Sequence, residues 1–457
     1  KKINYKNLKT SVKKIIKKFK SDNDEIIFQE FLNIPEISGV IFTRDINNLA
    51  PYYVINYDIS GKTNLITGGK KNLSQKTLIA HRQYNRIQGV FKKLIKICKS
   101  LETIFKTESL DIEFAVKKNK IFIFQVRPIS NKKKKSDKLI NSILKNIEKK
   151  IFKLQKSSLL VEGRTSIFSN MSDWNPAEMI GSISSILSIS LYEELITDNI
   201  WAKQRDIYGY KYVRSNPLMV NFAFSSYIDL RVDLNSFLPK ALPTPLQIKV
   251  INYMIKKLKK NPEIHDKIEF ALIPTCNSIF LRKKLKNFLS EKEIKIYSNL
   301  LIKLTNNIIS KNSKNPFYED IKKIEKLKFL LDSKKLSNLH PIQNIFYLVD
   351  VCKNFGTLPF AGIARTAFIT TSLMKEFTET DILLENRLSD FYKNIKSINY
   401  DFNFDLQRFL NKKISKNLFL KKYGHLRPNT YSINSLNYKE GFNQYFGTAT
   451  KNKLIKK

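Results

Sequence analysis

A chain of 457 residues, 42% of them hydrophobic, is long enough for roughly two to four domains with real cores, and no run approaches the roughly 18 apolar residues needed to cross a membrane. Cys98, Cys276 and Cys352 are odd in number and far apart, which excludes a disulfide scaffold or a clustered zinc site and fits reduced, buried thiols in the cytoplasm. The net charge of +41 comes from lysines spread along the chain among Ile, Asn and Phe, so it implies solubility and nonspecific attraction to anions rather than a dedicated nucleic-acid groove of clustered arginines and aromatics.

Residues 1–20 alternate basic and apolar positions at helical spacing (Val12, Ile15, Ile16, Phe19), which predicts an amphipathic helix. "EIIFQEFL" (25–32) reads as a buried strand. "SGVIFTRD" (38–45) and "PYYVINYD" (51–58) are strand-like around a turn at Asn47-Asn48, and "SGKTNLITGGKKN" carries loop residues. Residues 86–107 return to helical periodicity through Ile87, Val90, Phe91, Leu94, Ile95, Cys98 and Leu101.

"DIEFAVKKNKIFIFQVRP" (111–128) follows, and its pattern predicts a hairpin. Leu110, Ile112, Phe114 and Val116 share one face of the first strand, and Phe122, Phe124 and Val126 one face of the second. Keeping these apolar sets together calls for a loop of odd length. A three-residue loop, Lys118-Asn119-Lys120, pairs Glu113 with Gln125 and Asp111 with Arg127. The opposite face then gathers two carboxylates, an amide and a guanidinium. Hard oxygen ligands suit Mg²⁺, which keeps waters and binds few protein groups alongside phosphates, and a guanidinium grips phosphate oxygens bidentately. A surface Asp–Arg ion pair fits the same pattern.

The segment "DIEFAVKKNKIFIFQVRPIS" resembles the end of the nucleotide-binding domain of the phosphoenolpyruvate synthase and pyruvate phosphate dikinase family, D-[IM]-E-[WF], a turn, then a strand ending L-Q-x-R-P. "SGVIFTRD" resembles that family's segment beside the triphosphate, and "IIFQEFL" the strand bordering the adenine pocket. The resemblance covers about 1–130. It implies an ATP-grasp fold, with ATP and Mg²⁺ as cofactors. It implies Glu113 and Gln125 as metal ligands, Arg127 as the catalytic phosphate contact, Asp111 lining the same site, and Gln29 and Glu30 near the base. The family's first ATP-grasp subdomain is expected before residue 1. Its histidine-bearing domain is expected after residue 457, because none of the four histidines has that domain's Gly-Gly-x-x-[ST]-His context.

Beyond the lysine run 132–135 the character turns helical, broken by Pro and Gly. This gives an α+β chain: the C-terminal half of an ATP-grasp domain (1–130), a basic linker and helix (131–159), and a largely α-helical domain (160–457). In "SNMSDWNPAEMIG", Asn170, Asp173, Trp174, Asn175 and Glu178 surround a predicted helix start with Pro176 in its first turn. "WAKQRDIYGYKYVR" and "SSYIDLRVDLNSFLP" are rich in Arg, Tyr and Asp. "KYGHLRPNTYSI" resembles a segment of the related rifampin phosphotransferases, which makes His425 and Arg427 candidate substrate-domain residues, with Leu426 where an arginine is usual. A turn histidine is the structural alternative for His425.

The expected function is an ATP-dependent dikinase-type phosphotransferase, acting on pyruvate or another small acceptor. Its phosphoryl group would pass through a histidine domain elsewhere in the same polypeptide, with no membrane and no specific nucleic acid as partner. Two alternatives stand beside it: the same ATP chemistry with a different small-molecule or glycan-precursor acceptor, and a non-enzymatic basic protein that binds nucleic acid.

Overall fold

Alternating apolar residues build the first sheet. In the computed structural model, which describes residues 7–19, 21, 23–26, 29, 32–61, 74–83, 87–130, 137–156, 158–310, 315–331, 340–395, 397–428 and 435–452, two units are resolved, Lys1–Asn146 and Ile147–Lys457. The first contains α1 (Leu8–Ile16), β1 (Ile37–Phe42), β2 (Tyr52–Asp58), β3 (Gln75–His81), α2 (Gly89–Ile104), β4 (Leu110–Lys117) and β5 (Lys120–Pro128). Helix α3 (Asp137–Leu154) runs across the division. The five strands form one antiparallel sheet in the order β3-β2-β1-β4-β5.

One face of this sheet is sealed. Ile41, Tyr53, Ile55, Leu110, Ile112, Phe114 and Val116 pack against Leu94, Ile95 and Cys98 of α2, the helix and face that the apolar spacing predicts. The described residues of the expected 25–32 strand (Glu25, Ile26, Gln29 and Leu32) are not in a strand, so that expectation is corrected there; Ile27, Phe28, Glu30 and Phe31 lie outside the described residues, as does the lysine run.

Gly39, at the centre of "SGV", lies in β1 between Tyr57 and Phe114. A Cβ at this position would come within 3.0 Å of the Tyr57 Cα and closer still to the Asn56 carbonyl oxygen. Both obstacles are backbone of the paired strand, so the strands themselves would have to part. Gly39→Ala is therefore expected to destabilise the first unit by about 1–3 kcal/mol, read from urea or thermal melting; an unchanged midpoint would refute this account.

Below the sheet edge, buried charges are paired. Arg44, in the "TRD" turn, bonds Asp137 at 2.8 and 3.1 Å, the Leu49 carbonyl at 3.0 Å, and Glu108. Burial opposes its charge, and the Asp137 and Glu108 carboxylates more than offset this. Arg82 grips Glu102 bidentately at 2.6 and 2.7 Å and lies over the Tyr53 ring.

The second unit is mainly helical. It begins with β6 (Phe168–Ser169), α4 (Pro176–Met179), α5 (Ile186–Tyr192), α6 (Ile200–Ile207), β7 (Met219–Phe222), β8 (Ser225–Asp229) and α7 (Leu230–Ser236). It continues with α8 (Thr244–Lys260), α9 (Ile268–Ala271), α10 (Ser278–Leu285), α11 (Glu291–Ile309), α12 (Pro316–Leu331), α13 (Pro341–Val351) and α14 (Leu358–Glu379), followed by α15 (Glu385–Asn394), α16 (Ile398–Leu410), α17 (Lys416–Tyr423) and α18 (Phe442–Asn452). The short sheet β6-β8-β7 is antiparallel. Every residue of α7 is buried, and Asp229 caps it by accepting from the Arg231 and Val232 amides at 3.0 and 3.3 Å. A π-helical turn, Cys352–Thr357, leads into α14. Aromatic packing of Phe402, Phe409, Phe419, Tyr423, Phe442 and Phe446 holds α16, α17 and α18 as a separate cluster. The chain is thus mixed α+β with antiparallel sheets, and among the described residues no helix is long and apolar enough to cross a membrane.

Candidate functional site

Two places in the chain gather polar side chains with no structural demand that explains them. The first is the open face of the five-stranded sheet. Strands β4 and β5 pair Asp111 with Arg127 and Glu113 with Gln125. This is the expected pairing, reached by different means. The loop is two residues long: Lys117 pairs with Lys120, and Lys118 and Asn119 both take positive φ (49° and 60°), as a type I′ turn requires. The register then steps by one between Glu113 and Phe114, and Phe124 is the extra residue of a β-bulge. The bulge restores the parity that the expected three-residue loop was meant to supply. It also changes the core: Ile121 and Ile123 pack inward with Val126, whereas Phe122, expected on the apolar face, is exposed.

On the open face, Arg127 Nη2 donates to Asp111 Oδ2 at 3.1 Å and lies 3.8 Å from Glu113 Oε1. Arg127 is more than half exposed, so this pairing contributes little to stability. Asp111 Oδ1 is buried and accepts no hydrogen bond from the described residues, which leaves it able to take a cation or donor. Across the sheet, Asp111 and Glu113 sit beside Phe42 and Val40 of β1. The donor set of two carboxylate groups and one amide oxygen suits a hard cation shared with an anionic ligand. Among the described residues no three His, Cys, Asp or Glu side chains form a metal cage, so a cation here would take its remaining ligands from elsewhere. Gln29 is exposed, outside any strand, and Glu30 lies outside the described residues.

The second place lies within the helical unit. A cavity of about 360 Å³ is lined by Trp174, Phe237, Phe270, Phe360 and Phe368, with Asp173, Arg205, Glu269 and Arg365 among them. Helix α14 contributes Phe360, Ala361, Ala364, Arg365 and Phe368, which the helical repeat sets on one side. The "SDWN" turn contributes the opposite wall. Trp174 and Asn175 both sit at positive φ (62° and 33°), strained for residues with side chains. The turn is held by Asn175 N donating to Ser172 O at 2.6 Å, and by the Tyr192 hydroxyl donating to Trp174 O. Asn175 also caps α4 through the Glu178 amide, as the sequence pattern predicts.

The charges around this cavity are unevenly matched. Arg205 donates to Asp173 at 2.9 Å and to Gln204 at 2.7 Å, while its Nε has no acceptor. Arg205 and Arg365 both stack on Phe237, at 4.0 and 4.8 Å from the ring centroid. Arg365 is buried, and its Nε donates to the Tyr210 hydroxyl at 2.9 Å. Asp233 is wholly buried, and neither of its oxygens meets a donor. Burial first and then the Asp173 charge push its carboxyl well above the usual range. Glu269 is raised to about 7 by burial and then by Asp173, with Arg205 and Arg365 pulling the other way.

His425 and Arg427 lie in neither place. His425 is exposed in a turn after α17, and Arg427 is half-buried nearby, beside the aromatic cluster of α16, α17 and α18. The sequence pattern singled out Asp173 and Trp174 but not Glu269 or Arg365. The spacing of "FAGIARTAF" on one helical face was the available signal. Nothing in the sequence showed which partner that face would meet. No protein-family model matches the chain, and no curated protein matches it.

Proposed function

We propose that residues 1–130 form half of an ATP-grasp nucleotide site of the phosphoenolpyruvate synthase type, and that the protein is an ATP-dependent phosphotransferase. One observation supports this most: the bulged hairpin gathers Asp111, Glu113, Gln125 and Arg127 on the open side of an antiparallel sheet whose other side α2 seals. A stabilising role alone would not place an orphaned carboxylate oxygen, Asp111 Oδ1, beneath a mostly exposed arginine.

In this reading Glu113 and Gln125 hold Mg²⁺, which when bound neutralises charge on the phosphates. Arg127 turns from Asp111 towards the phosphate oxygens and binds them through its planar fork. Asp111 fixes the guanidinium until the nucleotide arrives. Gln29, exposed nearby in sequence to the sheet, contributes to the base. The phosphoryl group then passes by way of a histidine domain of the same polypeptide to pyruvate. The cavity of the helical unit favours a second reading of the last step, in which a different small molecule is the acceptor.

The test is titration with a fluorescent ATP analogue with and without magnesium, followed by competition with ATP, and assay of AMP and phosphate release with pyruvate or other small acceptors. Saturable, magnesium-dependent binding that ATP displaces is expected. Retention on DNA that falls steeply with salt, without such binding, would replace this reading by nucleic-acid association.

A further inference from the structure

Two side chains of opposite charge line the cavity in the helical unit without an ion-pair partner among the described residues. Arg365 is buried, its Nε donates to Tyr210, and among the described residues no carboxylate pairs with the rest of its guanidinium. Glu269 lines the same cavity, is half-buried, and among the described residues makes no ion pair. The two do not pair with each other, although they are close enough for Arg365 to pull on the Glu269 proton. The Arg365 Nη atoms are not among the buried atoms left without a partner, so they are open to a carboxylate that enters the cavity. Ser172 Oγ and Trp174 Nε1 are also buried without a partner at the cavity wall. The rest of the lining is apolar and largely aromatic: Trp174 lies against Phe360 at 6.4 Å between ring centroids, and Phe270 against Phe368 at 5.2 Å.

We propose that this cavity binds a small zwitterion of the amino-acid type with an apolar side chain, its carboxylate on Arg365, its ammonium on Glu269, and its side chain against Phe270, Phe360 and Phe368. A simple carboxylate would leave Glu269 unmatched, and a simple amine would leave Arg365 unmatched. The volume of about 360 Å³ admits one such molecule. The inference stands on the helical unit alone and does not depend on the nucleotide reading of the first.

Both tryptophans, Trp174 and Trp201, belong to this unit, and Trp174 lines the cavity, so intrinsic fluorescence reports occupancy. The full chain is titrated with L-phenylalanine, with 3-phenylpropionate, which lacks the ammonium, and with phenethylamine, which lacks the carboxylate. Saturable quenching or a spectral shift is expected with L-phenylalanine. Each analogue should bind at least about tenfold more weakly, because it forgoes one of the two charge-assisted contacts. Glu269→Gln should weaken L-phenylalanine by about tenfold and leave 3-phenylpropionate unchanged. Arg365→Gln should likewise weaken L-phenylalanine by about tenfold and leave phenethylamine unchanged, judged with near-UV circular dichroism and melting matching the parent chain. Equal binding of L-phenylalanine and 3-phenylpropionate overturns the proposal. So does the absence of a saturable response to L-phenylalanine, L-leucine and L-methionine up to ~10 mM, near the weak limit of specific binding.

Discussion

If the proposed phosphotransferase reading holds, Arg127→Ala is expected to raise the barrier to ATP turnover by roughly 2–4 kcal/mol, about 30- to 1,000-fold in rate. The size follows from the role assigned to the guanidinium, which meets charge that develops on the phosphates. The same substitution should barely alter melting. Arg127 is 54% exposed, and its pair with Asp111 at 3.1 Å is of the kind that contributes no more than about 1 kcal/mol. The two magnitudes separate the alternatives, since a purely structural ion pair predicts a small stability change and unaltered turnover. Glu113→Gln keeps the shape and removes a charge, so it should raise the magnesium concentration needed for half-maximal rate more than it lowers stability. Arg127→Lys should recover only part of the lost rate, because a point charge cannot reproduce the planar fork. Near-normal turnover in all three, with unchanged melting, would mean the hairpin is only structural.

The second large effect is on stability and depends on pH. Glu269 is raised from 4.5 to about 7 by burial and by the neighbouring Asp173 charge. A carboxyl whose folded value lies above its unfolded value favours the folded state while it is protonated. Its contribution is therefore full below about pH 4.5 and is lost as pH rises through 7. At 1.36 kcal/mol per unit the loss amounts to about 3 kcal/mol. Glu269→Gln removes the titration, so it should be close to neutral at about pH 4.5 and stabilising by about 3 kcal/mol at pH 8. Tryptophan fluorescence follows this unit specifically, because both tryptophans lie in it. Equal stabilisation at both pH values would show that the gain comes from packing. No gain at pH 8 would show that Glu269 ionises freely in the folded protein.

The amino-acid sequence by itself determined the pairing on the candidate nucleotide face. Alternation along "DIEFAV" and "QVRP" fixes which residues share a side, and burial of Leu110, Ile112, Phe114 and Val116 forbids the shifted register. The helical repeat from Val90 to Leu101 likewise fixes which face of α2 meets the sheet, because that spacing leaves one apolar stripe. The turn was beyond such reasoning. A two-residue loop with a bulge at Phe124 and a three-residue loop without one deliver the same pairs downstream, and only backbone geometry chooses between them. That choice moved Ile121 and Ile123 inward and Phe122 out. The unit 147–457 shows the larger limit. Arg205, Asp233, Glu269 and Arg365 come from four separate helices or their ends, α6, α7, α9 and α14. Each reads locally as an ordinary charged residue of an amphipathic or polar segment. Only the tertiary packing, which stacks Arg205 and Arg365 on Phe237 and brings Glu269 to the same cavity, sets their charges against one another and leaves Arg365 and Glu269 without an ion-pair partner among the described residues.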